Sequence, residues 1–318
     1  MPDSGWARSQ DSAKSYWRAL PANARGIIVI LFSTVCFSAM HAAVRHVSAE
    51  LSPIQIAFFR NLFGVIAFLP LISMHGLTFM RTRRLPMHLL RAGLNVLAMF
   101  AFFTAISITP LARVNALAFS APLFTALLAV AVLGERFHVR RWSAIAIGFT
   151  GTLIVLRPGL GVVDSGSLLA LASAAIWGVT MIVIKLLGRT ESSATITGYM
   201  CLLLSLLSFF PALYVWRTPS AEAWMWLVFI GVVGTFAQMS LAEALKQADT
   251  TVVLPFDFMK LVWASMLGYL LFSEVPDIFT FLGALVIFAS SFYLAYREGR
   301  QPGKAAADTS PDARVPPA

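Results

Sequence analysis

Residues Ala105–Glu135 read AISITPLARVNALAFSAPLFTALLAVAVLGE, and residues Ala244–Glu274 read ALKQADTTVVLPFDFMKLVWASMLGYLLFSE. The two stretches align without a gap at an offset of 139. Each opens on a helix end with a short polar turn, runs through an apolar segment, and closes on Gly134-Glu135 or Ser273-Glu274. Two further matches keep the same order: Arg45 with Lys185 at an offset of 140, and Pro70 with Pro211 at 141. Three matches in the same order at nearly the same offset point to a duplicated chain.

The rest of the sequence explains what was duplicated. Of the 318 residues, 58% are hydrophobic and only 12% charged, with a mean hydropathy of +0.77. A water-soluble domain carries about 25% charged residues, so much of this surface does not face water. A soluble enzyme, a nucleic-acid-binding domain and a disordered scaffold are excluded on that ground, because the basic residues lie between apolar runs rather than on one soluble face. Ten apolar runs can be bounded: 26–46, 54–75, 88–108, 111–133, 142–157, 168–186, 196–216, 223–243, 251–273 and 278–296. Each approaches the ~20 residues that cross a bilayer core as a helix. Their continuous apolarity, without alternation, selects helices over a β-barrel. Cys36 and Cys201 lie inside such runs and read as buried small hydrophobes rather than a disulfide.

Orientation follows from the loops. With the N-terminus in the cytoplasm, seventeen Lys and Arg fall on the cytoplasmic side and only Arg45, Arg157 and Arg217 on the other. That bias predicts a multi-pass membrane protein with both termini cytoplasmic. Residues 1–25 form a polar cytoplasmic segment without the apolar core of a signal peptide, and 298–318 read as a disordered cytoplasmic tail.

Five spans per half is an odd number, so the second half enters the membrane inverted. The expected fold is an all-α integral membrane protein of ten transmembrane helices, built as two inverted five-helix repeats over 26–158 and 166–297. Inverted repeats are recurrent in secondary transporters, where exchange of conformation between the halves alternates access.

The first half resembles the EamA-type ten-span carriers of the drug/metabolite transporter superfamily. The resemblance is carried by Ser120-Ala121-Pro122-Leu123-Phe124 through Gly134-Glu135, Arg140-Arg141-Trp142, Gly148-Phe149-Thr150-Gly151 and Arg157-Pro158-Gly159. Phe59-Arg60-Asn61 and Leu90-Arg91-Ala92 also fit. The second half departs, with Ser273 in place of Gly and with Asp257 and Lys260 where small or apolar residues are usual. The resemblance implies a central solute pathway, no ATP hydrolysis and no bound cofactor. Its local texture is similar to carriers of vitamins or nucleoside-like solutes, such as riboflavin or S-adenosylmethionine.

Charge inside a span costs about 2.5–3.5 kcal/mol on insertion scales and marks candidate sites. Arg60, seven residues into the second span, is the leading one, suited to a carboxylate or phosphate. Asp257 and Lys260 share a helix face in the ninth span and would bind solute or exchange a proton, or else form a self-satisfied pair. The first half has Ala118 and Ala121 at those positions. His41, one turn after Ser38, is a proton-linked switch or a packing histidine. Arg113 and Arg91 lie near span ends and can snorkel. Glu243 reads as the partner of Lys246, and Glu135 and Glu274 as caps of the helices that follow them. An aromatic pathway wall is expected from Phe58, Phe59, Phe100, Phe103, Trp177, Tyr199 and Trp263. The candidate substrate-binding set is therefore Arg60, Lys260, Asp257, His41, Arg113, Trp263 and Tyr199, with no metal site.

The function expected is secondary-active transport of a small polar organic metabolite. Proton coupling and uncoupled exchange fit equally, as do uptake and export, and a monomer or a homodimer. An amino-acid or drug exporter is the nearer alternative. An integral-membrane enzyme is the distant one, since HExxH and GxSxG are absent and the five histidines are scattered.

Overall fold

The computed structural model describes residues 20–75, 82–133, 139–158, 164–191, 193–248 and 250–299. Expectations for Glu135, the first nineteen residues and the chain after Gly299 fall outside them. The described chain is helical: α1 (Ala22–Val47), α2 (Pro53–His75), α3 (Leu85–Ile108), α4 (Leu111–Ala118), α5 (Ala121–Leu133), α6 (Val139–Leu156), α7 (Ser165–Leu187), α8 (Ser193–Tyr214), α9 (Ala221–Gln247), α10 (Thr250–Asp257), α11 (Met259–Phe272) and α12 (Ile278–Gly299). Five stretches among the described residues are long and apolar enough to cross a membrane, and shorter apolar helices accompany them.

Among the described residues the ten spans are carried by twelve helices, because the fourth and ninth are each broken. Pro122 accounts for the first break. It has no N–H to donate to the carbonyl of Ala118, and its ring crowds that carbonyl, so α4 stops there. The chain turns through short bonds from Phe119 N–H to Ala116 O and from Ser120 N–H to Leu117 O. The second break is at Phe258, where Leu261 N–H bonds back to Phe258 O at 2.9 Å. No proline stands at the matching place, and Pro255 lies one turn earlier inside α10.

The helices α4 and α10 are each eight residues long and start 139 residues apart. The repeat is visible in the packing too. The helix α1 lies along α9 and α3 along α7, so the first span of each half packs on the third span of the other. Both pairs are pinned alike: Ser33 Oγ donates to Ala237 O at 2.7 Å, and Ser173 Oγ donates to Ala98 O at 2.7 Å. The self-matched pairs are α2 on α8 and α6 on α12. Between α6 and α12, Gly151 and Gly283 lie so close that a Cβ on either would sit 2.8 or 2.6 Å from the other's carbonyl oxygen. Small residues at such crossings let backbones approach in lipid, where helix association depends on contact rather than on water exclusion.

The end opposite the start of α1, here the far end, is tied across the halves. Glu274 binds Arg45 at 2.8 Å and accepts from Leu111 N–H at 2.8 Å. The sequence assigned Glu274 to the helix after it, but it caps α4 of the other half. The reason is local: Ser273 is left-handed (φ 56°) and turns the chain back over α11. Asp277 pairs with Arg157, which stands 4.9 Å from the Phe279 ring centre. Glu50 accepts from Ser220 N–H and Oγ at 2.8 Å, and those two bonds hold its carboxyl below the usual carboxylate range.

Candidate functional site

The two breaks meet. Phe119 and Phe258, 139 residues apart, stack with ring centres 5.6 Å apart and planes at 29°. Phe288 of α12 packs against both. Helix breaks at membrane depth free backbone groups, which must be satisfied by protein or by a water-lined cavity. One freed carbonyl, Phe119 O, accepts from Ser291 Oγ at 3.2 Å.

The charges gather beside this junction. Asp257 ends α10, Lys260 lies in the first turn of α11, and their Oδ1 and Nζ are 2.6 Å apart across the break. The one continuous helix face expected from the sequence is corrected to a pair that bridges two helices. Lys260 Nζ also stands 4.7 Å from the centre of the Phe37 ring. Ser38 Oγ donates to Lys260 O at 3.2 Å, and Trp263 Nε1 donates to Thr34 Oγ1 at 3.2 Å. These contacts fix α11 against α1.

His41 follows on the same side of α1. Its ring is 5.0 Å from Phe102 and 6.2 Å from Phe37, with Asn115 as a hydrogen-bonding neighbour and with Lys260 and Arg60 close enough to act on it electrostatically. Its Nδ1 is buried without a hydrogen-bond partner among the described residues. Arg60 reaches the cluster from α2. Its Nη1 donates to Asn61 Oδ1 at 3.2 Å, and Asn61 passes the chain of bonds to Ser208 at 3.3 Å. Gly234 of α9 lies beside it: a Cβ there would be in ordinary contact with Arg60 Nε at 3.5 Å but would crowd Met40 Sδ at 2.6 Å.

Five of the seven expected site residues, Arg60, His41, Asp257, Lys260 and Trp263, thus converge beside the breaks. The other two do not. Arg113 pairs with Asp164 at 3.3 Å at the far end. Burial alone would raise the Asp164 carboxyl, but bonds from Ser167 N–H and Thr109, together with Arg113, hold it below the ordinary carboxylate range. Tyr199 stacks on the buried His88 with ring centres 4.7 Å apart, towards the opposite end. Arg91 does not snorkel: it is buried, with Nη1 donating to Ile196 O at 2.9 Å. Glu243 accepts from Gln247 Nε2 at 2.7 Å. Phe58, Phe59 and Phe103 are core side chains, and Cys36 is only half-buried.

Phe37, Thr34, Asn115, Phe119 and Phe258 were missed. The last two were within reach, because the ungapped repeat already sets them opposite one another. Asn115 was hidden as one polar residue in an apolar run.

The cluster breaks the repeat that surrounds it. At the offsets of 139 to 141, His41 faces Met181, Arg60 faces Cys201, Asn115 faces Leu254, Asp257 faces Ala118 and Lys260 faces Ala121. The scaffold is duplicated and the chemistry is single.

Comparison with known proteins agrees with this architecture. The EamA-like transporter family matches twice, over residues 24–157 and 164–296. An S-adenosylmethionine uptake transporter of Rickettsia felis is 29% identical, over 88% of this chain and 95% of that protein. A riboflavin transporter of Rhizobium johnstonii is 30% identical, over 88% and 94%, and a pseudopaline exporter of Pseudomonas aeruginosa is 27% identical, over 85% and 95%. A solved crystal structure 19% identical superposes with a TM-score of 0.58, covering 87% of this chain and 99% of that one, and shares the fold. With two family-length repeats, broken helices meeting at mid-bundle and a one-sided polar cluster beside them, the chain belongs to the EamA-like transporter family and is a multi-pass membrane transporter of a small molecule.

Proposed function

We propose that the chain is a secondary carrier, not an enzyme, that moves a polar organic metabolite across the inner membrane by alternating access, with both termini cytoplasmic. The observation that carries this reading is the cluster of Arg60, His41, Asp257 and Lys260 beside two matched helix breaks. Ionisable groups at membrane depth are expensive and are kept where they serve a pathway, and inverted repeats place solute at broken helices near the midplane. Arg60, His41, Asp257, Lys260 and Trp263 form the solute site; Arg113 serves the far-end closure and Tyr199 the opposite end. The two repeats, 26–158 and 166–297, exchange conformations around that site. S-adenosylmethionine or riboflavin, the solutes in the names of two of the relatives, are the first candidates. Export is the second reading, favoured by the pseudopaline exporter at similar coverage. Asp257 and His41 are the groups through which a proton would couple, and one chain holds a whole pathway, so a monomer suffices.

The test is counterflow of both solutes in proteoliposomes, with Arg60→Ala as control. Saturable exchange that fails in Arg60→Ala while insertion is normal is the expected result. Unchanged kinetics in Arg60→Ala would remove it from the site, and absence of exchange for every solute tried in either direction would overturn the carrier reading.

A further inference from the structure

We infer that a polar pocket at the far end holds the headgroup of a membrane phospholipid that carries both a phosphate and a primary ammonium. The site lies apart from the solute cluster and does not depend on the carrier reading.

The pocket forms where two turns meet. Residues 48–53 lead from α1 into α2, residues 214–217 lead from α8 towards α9, and together they line an open depression of about 550 Å³. Its two charged side chains are set on built supports. Gln55, fully buried in α2, donates Nε2 to Arg217 O at 2.6 Å and accepts from Arg217 N–H at 3.0 Å. The Arg217 backbone is clamped, while its exposed guanidinium has no hydrogen bond or ion pair among the described residues. Glu50 is held by Ser220, whose N–H and Oγ each donate to one carboxylate oxygen at 2.8 Å. Those bonds keep the carboxylate ionised, each oxygen retains a lone pair, and no described cation pairs with it. Glu222, two residues beyond Ser220, is taken by His46 at 3.5 Å. One anion and one cation therefore line the same pocket without neutralising each other.

The chemistry of the two groups selects the ligand. A phosphodiester offers two oxygens to the guanidinium fork, and a primary ammonium offers three N–H groups to the lone pairs left on Glu50. A quaternary ammonium has no N–H to give, and an uncharged glycerol headgroup brings no cation to Glu50. Only a headgroup with both charges answers both side chains.

The surroundings are those of a lipid. Tyr214 is 93% exposed, and the exposed Trp216 and Trp224 lean on Phe59 with ring centres 5.5 and 4.9 Å away. Tyr and Trp gather at headgroup level, where one end of the ring is apolar and the other wet. Below the pocket, Leu202, Leu206, Phe210 and Leu213 are all exposed, and their spacing of four, four and three places them on one face of α8. At 1.5 Å per residue that stripe is about 16 Å long, the depth of one leaflet of a ~30 Å core. It ends at the pocket, so acyl chains laid along it bring their phosphate to Arg217. A soluble phosphodiester would leave the stripe unused. Because 48–53 belong to the first half and 214–217 to the second, the bound headgroup bridges the halves.

Native mass spectrometry of the purified full-length protein tests this, with an equimolar mixture of phosphatidylethanolamine, phosphatidylcholine and phosphatidylglycerol of identical acyl chains. In the parent, phosphatidylethanolamine should be enriched about threefold or more over each of the others in the state that retains one lipid. Arg217→Ala and Glu50→Gln should each abolish that enrichment. Both variants should fold, since Gln55 grips the backbone of residue 217 and a glutamine at 50 still accepts from Ser220. Glycerophosphoethanolamine, the same headgroup without acyl chains, should not displace the lipid at equal concentration. No enrichment in the parent, or enrichment that survives in either variant, overturns the inference. Displacement by glycerophosphoethanolamine would overturn the lipid as occupant and make the pocket one for a soluble phosphodiester.

Discussion

Glu274 joins three elements, and its removal has a calculable consequence. Its carboxylate, 11% exposed, binds Arg45 at 2.8 Å, while Arg45, 21% exposed, also donates to Ile106 O and Thr109 O at 2.7 and 2.8 Å. Its second oxygen caps Leu111 N–H at 2.8 Å. Truncation in Glu274→Ala leaves Arg45 without its counter-charge and α4 without its cap. A fully buried pair broken on one side costs about 3–5 kcal/mol, and the partial exposure brings this to about 2–4. The lost cap adds about 1 kcal/mol. At about 2 °C per kcal/mol for a chain of this size, the transition should fall by about 6–10 °C. Glu274→Gln keeps an acceptor for Leu111 and a neutral bond to Arg45, so the loss should be about 2–4 °C. Intrinsic tryptophan fluorescence on protein purified in one detergent, at one scan rate, measures both variants. Two results would refute the reasoning: Glu274→Ala within 1 °C of the parent, or Glu274→Gln as damaging as Glu274→Ala.

Other perturbations follow from single contacts. Ser273 is left-handed at φ 56° where glycine carries no penalty, so Ser273→Gly should raise the transition by about 1–2 °C per its ~1 kcal/mol of relieved strain; a decrease would mean the hydroxyl is needed. In Gly151→Ala the new methyl would meet Gly283 O at 2.8 Å and Ile287 N at 2.9 Å, both backbone atoms. The helices α6 and α12 must part, at about 1–3 kcal/mol, and a transition unchanged within 1 °C would contradict the close crossing. Because the folded-state carboxyl of Asp164 lies below its unfolded value, its contribution is present above the unfolded pKa of ~3.9 and is lost as pH falls through the folded one. Acid should therefore destabilise the parent more than Asp164→Asn below about pH 4; identical acid profiles would remove the cap from the far-end closure.

The sequence announced the bundle because its two strongest signals are long-range in chemistry but local in the chain. Apolar runs near membrane thickness define spans wherever they pack, and the ungapped match of 105–135 to 244–274 survives because a broken helix must be built the same way twice. The breaks themselves were not read. Pro122 lies in the quoted motif, and its effect on the carbonyl of Ala118 could have been worked out, but Phe258 turns with no proline to mark it. The residues that share the cluster were legible where charge stood out in an apolar run, as for Arg60 and for the pair Asp257 and Lys260. Arg113 and Tyr199 misled because their partners, Asp164 and His88, are 51 and 111 residues away in the chain, and only packing brings them together. Glu274 misled in the same way: a carboxylate at a helix end announces a cap without saying which helix it caps.

The serine pins on α1 and α7 are mirror equivalents, whereas the cluster between them has no mirror at all. Were the two halves chemically alike, swapping their shapes would return the same molecule viewed from the other side, and the empty protein would divide its time evenly between its two faces. One-sided charges remove that degeneracy. On the alternating-access reading, His41, Arg60, Asp257 and Lys260 would sit among different neighbours in the two faces, and the resting protein would favour one compartment before any solute or gradient is applied. Unequal half-saturation concentrations on the two sides of an oriented vesicle would be the kinetic trace of that built-in polarity.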